Sequence, residues 1–194
     1  MSRAIPEMPA SIPRRESPLW RWIGRTVMRV AGWGIEGNFP DLPRMVVAVA
    51  PHTSNWDFVH GAAAMFALDL RVSFIGKHTI FVWPFSKFFR WMGGIPVDRS
   101  AARGVVGEVV DSFRNASSLV LAIAPEGTRR KVERFRTGFL HIARGAGVPV
   151  VLVGLDYSTR TVRIGPLIEV GEDIDAERLR IEAHFAKIPG RYPQ

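Results

Sequence analysis

One feature limits what this chain can fold into more than any other: short apolar runs alternate with segments of helical spacing. The runs are Met45–Ala50, Arg71–Ile75, Ile95–Asp98, Leu119–Ala124, Pro149–Asp156 and Thr161–Pro166. Bounded by turn residues and rich in β-branched side chains, they read as buried strands. The helical segments are Trp56–Leu70, Ile80–Met92, Ala101–Ala116, Thr137–Gly145 and Asp175–Lys187, with Pro84 predicting a kink or restart in the second. Strands separated by helices of ~10–15 residues predict an α/β domain whose sheet is covered on both faces.

With 194 residues the chain has room for one domain with a good core. We divide it into residues 1–37, an N-terminal arm and an amphipathic helix, and residues 38–194, the main domain. Three prolines interrupt Met1–Ser17, which reads as a flexible or extended arm. From Pro18 to Ile35, Arg21, Arg25 and Arg29 recur every four residues on one helical face. Leu19, Trp20, Ile23, Val27, Val30 and Ala31 fill most of the other. That pattern fits a helix lying in a membrane interface, or equally a helix packed on its own domain with its arginines in water.

The net charge of +8 points to an anionic partner: nucleic acid, a lipid surface, an acidic carrier protein or a phosphorylated substrate. Nucleic acid is disfavoured, because the basic residues are interleaved with strand-like runs and no base-reading motif is present. The absence of cysteine removes disulfides and thiolate chemistry. No apolar stretch reaches the ~18–20 uncharged residues that span a bilayer, and the N-terminus has no signal-peptide pattern.

Two polar clusters follow apolar runs. Pro51-His52-Thr53-Ser54-Asn55-Trp56-Asp57 follows the first, and Ala124-Pro125-Glu126-Gly127-Thr128-Arg129-Arg130 follows the fourth. Ser54 or Asn55 is placed to cap a helix starting near Trp56, with Asp57 in its first turn. His52 and Asp57 could then act as a base and its orienting carboxylate. Taken alone, they could as well be a capping aspartate beside a histidine that closes a turn.

Four motifs in order carry a resemblance. They are His52 to Asp57 with four residues between, Gly94-Ile95-Pro96-Val97-Asp98-Arg99, Glu126-Gly127-Thr128-Arg129, and the Val148-Pro149 pair that opens Val150-Val151-Leu152-Val153. Lys77 and Phe135-Arg136-Thr137-Gly138 also fall at comparable places. Over roughly Leu42 to Leu167 the chain resembles the glycerolipid (lysophospholipid) acyltransferases, of the 1-acylglycerol-3-phosphate acyltransferase type. Pro51, Trp56 and Ala124 depart from the usual flanking residues, which bears on the acceptor rather than on the reaction type.

The resemblance implies a mixed, largely parallel sheet flanked by helices. It also implies transfer of a fatty acyl group from acyl-CoA or acyl carrier protein (acyl-ACP) to a lysophospholipid hydroxyl. His52 would be the general base and Asp57 its partner. Arg99 and Arg129 would hold the acceptor phosphate, with Lys77, Gly94, Glu126, Gly127 and Thr128 completing the substrate site. The expected partners are the lysolipid, the acyl donor and an anionic membrane surface on the cytoplasmic face, with no cofactor and no metal.

Two other readings remain at this point. His52, Asp57 and His60 could hold a metal in a hydrolase, or the chain could be a non-catalytic basic module that binds lipid. The aromatic density of Ile80–Met92 further suggests either core, an acyl-chain tunnel lined by Phe85 and Phe88, or a lipid-facing surface.

Overall fold

The computed structural model describes residues 5–77, 81–97, 104–128 and 132–192. The element order is α1 (Pro18–Ala31), β1 (Gly34–Glu36), β2 (Arg44–Ala50), α2 (Asn55–Ala67), β3 (Val72–Lys77), α3 (Ser86–Trp91) and β4 (Gly94–Val97). It continues with α4 (Gly104–Asn115), β5 (Leu119–Ile123), α5 (Gly138–Ala146), β6 (Val150–Asp156), β7 (Thr161–Ile168) and α6 (Ile174–Phe185).

The seven strands form one sheet in the order β1-β7-β6-β2-β5-β3-β4. β6, β2, β5, β3 and β4 run parallel, β7 is antiparallel to β6, and β1 is parallel to β7. The fold class is therefore α/β with a mixed, largely parallel sheet. Side chains alternate across β2 and divide the core in two. Met45 and Val47 pack toward α1 and α2, whereas Val46, Ala48 and Ala50 pack toward α4, α5 and α6. Because β2 is covered on both faces, it reads as an unbroken apolar run rather than an alternating one.

α1 lies directly on α2, and Gly24 allows the close approach. A Cβ at Gly24 would sit 2.4 Å from the Ala67 amide nitrogen and 2.7 Å from the Ala63 carbonyl oxygen. The inward side of α1 is Gly24 and Met28, while Leu19, Trp22 and Val30 face outward beside Arg25 and Arg29. Apolar and basic residues thus share the exposed surface, and the two faces are less cleanly separated than the sequence pattern suggests. Trp33 and Ile35, read as the end of this helix, lie beyond the left-handed Gly32 cap, and Ile35 is the middle residue of β1.

The N-terminal arm is extended and anchored. Ile12 is buried, the Arg15 amide donates to the Asp69 carbonyl, and the Arg71 amide donates to the Pro13 carbonyl. Of the segment Ile80–Met92, expected to be helical with a kink or restart at Pro84, Ile80 lies outside the described residues and the helix runs over Ser86–Trp91, starting two residues past Pro84, whose ring nitrogen has no hydrogen to donate.

Candidate active site

All five parallel strands point their carboxyl ends at one rim, the usual place for a ligand site in an open α/β sheet. Tyr157 follows β6, His52 follows β2, and Glu126 to Thr128 follow β5. Lys77 closes β3, and β4 ends at Val97. These strands are immediate neighbours, so topology lines up most of the sequence motifs along one edge. Arg99, Arg129 and Arg130 lie outside the described residues, as does the Lys77 side chain.

The His52 turn is built by α2's N-terminus. Ser54 caps the helix by accepting the Trp56 N–H at 3.2 Å. Asp57, three residues on, reaches back so that Oδ2 accepts the N–H groups of Thr53 and Ser54, each at 2.6 Å. This is a capping box with aspartate in place of the more usual glutamate. The same Oδ2 lies 3.4 Å from His52 Nδ1, and the Asp57 side chain is fully buried while His52 is 28% exposed. One carboxylate therefore fixes the turn and faces the imidazole together. The cap and the base-orienting pair, alternatives in the sequence, coexist in a single residue.

Tyr157 completes this cluster by donating its O–H to Asp57 Oδ1 at 2.5 Å. Burial works to raise the Asp57 carboxyl, but the bonds from His52, Tyr157, Ser54 and Thr53 outweigh it and hold the group below the ordinary carboxylate range. Glu126 behaves oppositely. It is 1% exposed, and burial pushes its carboxyl up. Its Oε1 accepts the His52 backbone N–H at 2.8 Å, and its Oε2 is buried without a partner among the described residues.

The amides of His52, Thr53 and Ser54 are thus all committed to carboxylates. None is a free donor for an oxyanion. Gly127 adopts φ +65°, and a Cβ there would meet Arg136 Cδ at 2.8 Å, so the absence of a side chain lets Arg136 lie against the turn. Gly94 has a packing role: a Cβ would collide with the Phe81 ring and the Phe89 carbonyl.

His52, Asp57, Pro125, Gly127, Thr128 and Arg136 border a cavity of about 910 Å³, within the ~300–1,000 Å³ typical of ligand sites. Much of it runs between α2 and the sheet, along Ala64, Met65 and Leu68 on one side and Val47, Val49 and Val153 on the other. Its apolar wall combines α2 and the sheet with Val105 and Val106 of α4 and Phe139 and Ile142 of α5. Phe85 and Phe88 are exposed and stand outside this lining, whereas Met92 of the same segment reaches it.

His60 lies on the far side of Asp57. Its ring stacks on Trp33 at 4.2 Å, and Nδ1 sits 3.5 Å from the Tyr157 hydroxyl. Burial lowers its tendency to protonate. Among the described residues, no three His, Asp or Glu side chains converge as a metal site requires. Tyr157 and Arg136 were not singled out from the sequence as site residues. Arg136 had a signal, since it stands in the Phe135–Gly138 motif; Tyr157 had only its place at a strand end.

Residues 36–156 match the family described as Acyltransferase. The 1-acyl-sn-glycerol-3-phosphate acyltransferase of Escherichia coli is 29% identical over 128 residues, covering 62% of this chain and 51% of that protein. The Haemophilus influenzae enzyme of the same name is 28% identical over 143 residues, covering 69% and 58%. The chain therefore spans about half the length of the curated relatives it matches. Its fold resembles that of the Thermotoga maritima 1-acyl-sn-glycerophosphate (LPA) acyltransferase PlsC, with a TM-score of 0.63 at 19% identity over 91% of this chain and 80% of that one. With the motif order, the rim geometry and a match across most of the sheet in agreement, this chain belongs to the acyltransferase family.

Proposed function

We propose that the chain is an O-acyltransferase moving a fatty acyl group from acyl-CoA or acyl-ACP to the hydroxyl of a lysophospholipid-type acceptor. The observation that carries this is the His52 Nδ1 to Asp57 Oδ2 approach of 3.4 Å at the mouth of a largely apolar cavity. With Nδ1 turned to the carboxylate, Nε2 is the free basic atom. The acceptor hydroxyl gives its proton to Nε2 as its oxygen attacks the thioester carbonyl carbon. The C–S bond then breaks, and the departing sulfur recovers the proton from the imidazolium. Asp57 holds the ring in one tautomer and stabilises its charged form. No acyl-enzyme is formed.

The cavity between α2 and the sheet takes an acyl chain, and cations at the rim take the acceptor phosphate. Arg99 and Arg129 have that role, with Lys77 and Arg136 as further cations; guanidinium groups suit it because they make paired charge-assisted bonds to phosphate oxygens. Gly127 and Thr128 form the lip of the site. Glu126, buried under His52, holds the two loops together. The relatives' names make 1-acyl-sn-glycerol 3-phosphate the first acceptor to try.

The protein works at a membrane surface on the cytoplasmic side. No helix among the described residues is long and apolar enough to cross a membrane. Leu19, Trp22 and Val30 on α1, with Trp83, Phe85 and Phe88 near α3, leave apolar side chains exposed beside arginines and a lysine, as interfacial docking requires. The decisive assay pairs purified protein with a lysolipid panel and with acyl-CoA and acyl-ACP in turn. Transfer to a lysolipid that disappears in His52→Ala is expected; no transfer from either donor to any lysolipid rejects the reading.

A further inference from the structure

The mechanism above uses one oxygen of Asp57, but the fold devotes a separate structure to the other. Oδ2 is saturated by two amides and faces His52, whereas Oδ1, equally buried, accepts the Tyr157 hydroxyl. We propose that Tyr157 is a positioning residue for the acyl-transfer site, locking the Asp57 carboxylate plane so that Oδ2 stays aimed at His52 Nδ1. The proposal rests on the acyltransferase reading for its kinetic consequence only.

Several independent contacts fix Tyr157 in place. Its amide donates to the Pro189 carbonyl at 3.0 Å. The residue before it, Asp156, accepts the Ser158 and Thr159 amides and pairs with Arg163 at 3.0 Å, pinning the turn that leaves β6. Trp33 meets the tyrosine ring edge-on at 4.9 Å while stacking on His60, so the phenol stands in an aromatic corner. A phenol held by these contacts presents its hydroxyl to Asp57 Oδ1 at 2.5 Å, with His60 Nδ1 farther off at 3.5 Å. Preorganisation of this kind lets a site keep a reactive geometry without reordering at each turnover.

The charged and titratable groups facing this pair are few. Among the described residues, His52 comes from the loop after β2, His60 from α2, Glu126 from the loop after β5, Arg160 from the turn after β6, and Arg191 from the C-terminal segment. Burial and the Asp57 contact both raise the Tyr157 phenol, so it remains a donor at neutral pH. Without that donor, Oδ1 would be a buried carboxylate oxygen with no bond, and the carboxylate would turn to seek one.

The test uses the full chain with Tyr157→Phe, which keeps the ring contacts and removes one oxygen. The turnover number should fall about tenfold, the effect of one hydrogen bond to a charged group, with the acceptor KM within about twofold. In 15N-labelled protein the His52 Nδ1–H resonance should broaden and move upfield. That spectrum needs no activity, so it decides this inference even if no lysolipid proves to be a substrate. An unchanged resonance, or a lower melting temperature with unchanged turnover, overturns the proposal.

A second arm does not depend on the folding of the Phe variant. The chain has two tyrosines, so 3-fluorotyrosine incorporated in a Tyr192→Phe background labels Tyr157 alone. Its 19F resonance should move when His52→Gln removes the imidazole that Asp57 faces. A 19F resonance identical in the two proteins counts equally against the proposal.

Discussion

Glu126 Oε1 accepts the backbone N–H of His52 at 2.8 Å from a position that is 1% exposed. Two loops from adjacent strands, β2 and β5, are thereby joined beneath the imidazole, and one buried carboxyl holds the join.

Burial raises the Glu126 carboxyl, so its ionised form is disfavoured in the folded state. The sign follows from linkage: this penalty is absent below the unfolded carboxyl pKa of ~4.3 and complete above the higher folded value. Glu126→Gln keeps an acceptor for the His52 amide and cannot ionise. Its stability relative to wild type should therefore improve as pH rises from 4 to 7, as read by urea unfolding at fixed temperature. A difference that is flat with pH would mean Glu126 does not carry the raised carboxyl.

Asp57 has the opposite linkage. Its folded carboxyl is held below the ordinary range, so its stabilising contribution is present above ~3.9 and lost as pH falls through the folded value. Asp57→Asn should lose stability at pH 7 and converge on wild type in strong acid. The kinetic companion is His52→Ala, which should lower turnover by ~10²–10⁴-fold with little change in acceptor affinity. Lost binding with normal turnover would reassign the imidazole.

The parallel core was legible because β2, β5 and β6 are short, apolar and bounded by turns, and the limits of each shift by a single residue at one end. β1 was not legible. Three residues after a helix give no periodicity, and Ile35 pairs with Val162 only through a tertiary contact far along the chain. In Ile80–Met92 the break was legible at Pro84, and the helix indeed starts beyond it, at Ser86. At the site, His52, Asp57 and the Glu126 turn stood out through their motifs. Tyr157 did not, since its bond to Asp57 crosses 100 residues of sequence and no local spacing encodes it.

Acyl-chain selection should be set by α2 rather than α3. Met65 lines the cavity, whereas Phe85 is 59% exposed outside it. Met65→Trp should shift the preferred donor toward shorter chains by filling the space between α2 and the sheet. Phe85→Ala should leave the chain-length profile where it is. A profile altered by Phe85→Ala and unmoved by Met65→Trp would place the chain elsewhere.

Attachment to lipid should depend on outward apolar side chains and not on the interior of α1. Trp22 is 64% exposed and Phe88 53% exposed, and each stands near basic residues of its own helix. Burying such a ring in an interface contributes through its apolar area, at roughly 25 cal/mol per Å². The double variant Trp22→Ser with Phe88→Ser should weaken binding to anionic vesicles at least tenfold while leaving the melting temperature within a few degrees. Gly24→Val acts at the opposite face. It forces a side chain against the Ala67 amide and should lower the melting temperature through overpacking, at a cost of ~1–3 kcal/mol. Vesicle co-sedimentation and thermal unfolding on the same samples separate the two effects, and undiminished lipid binding by the double serine variant would reject this surface as the anchor.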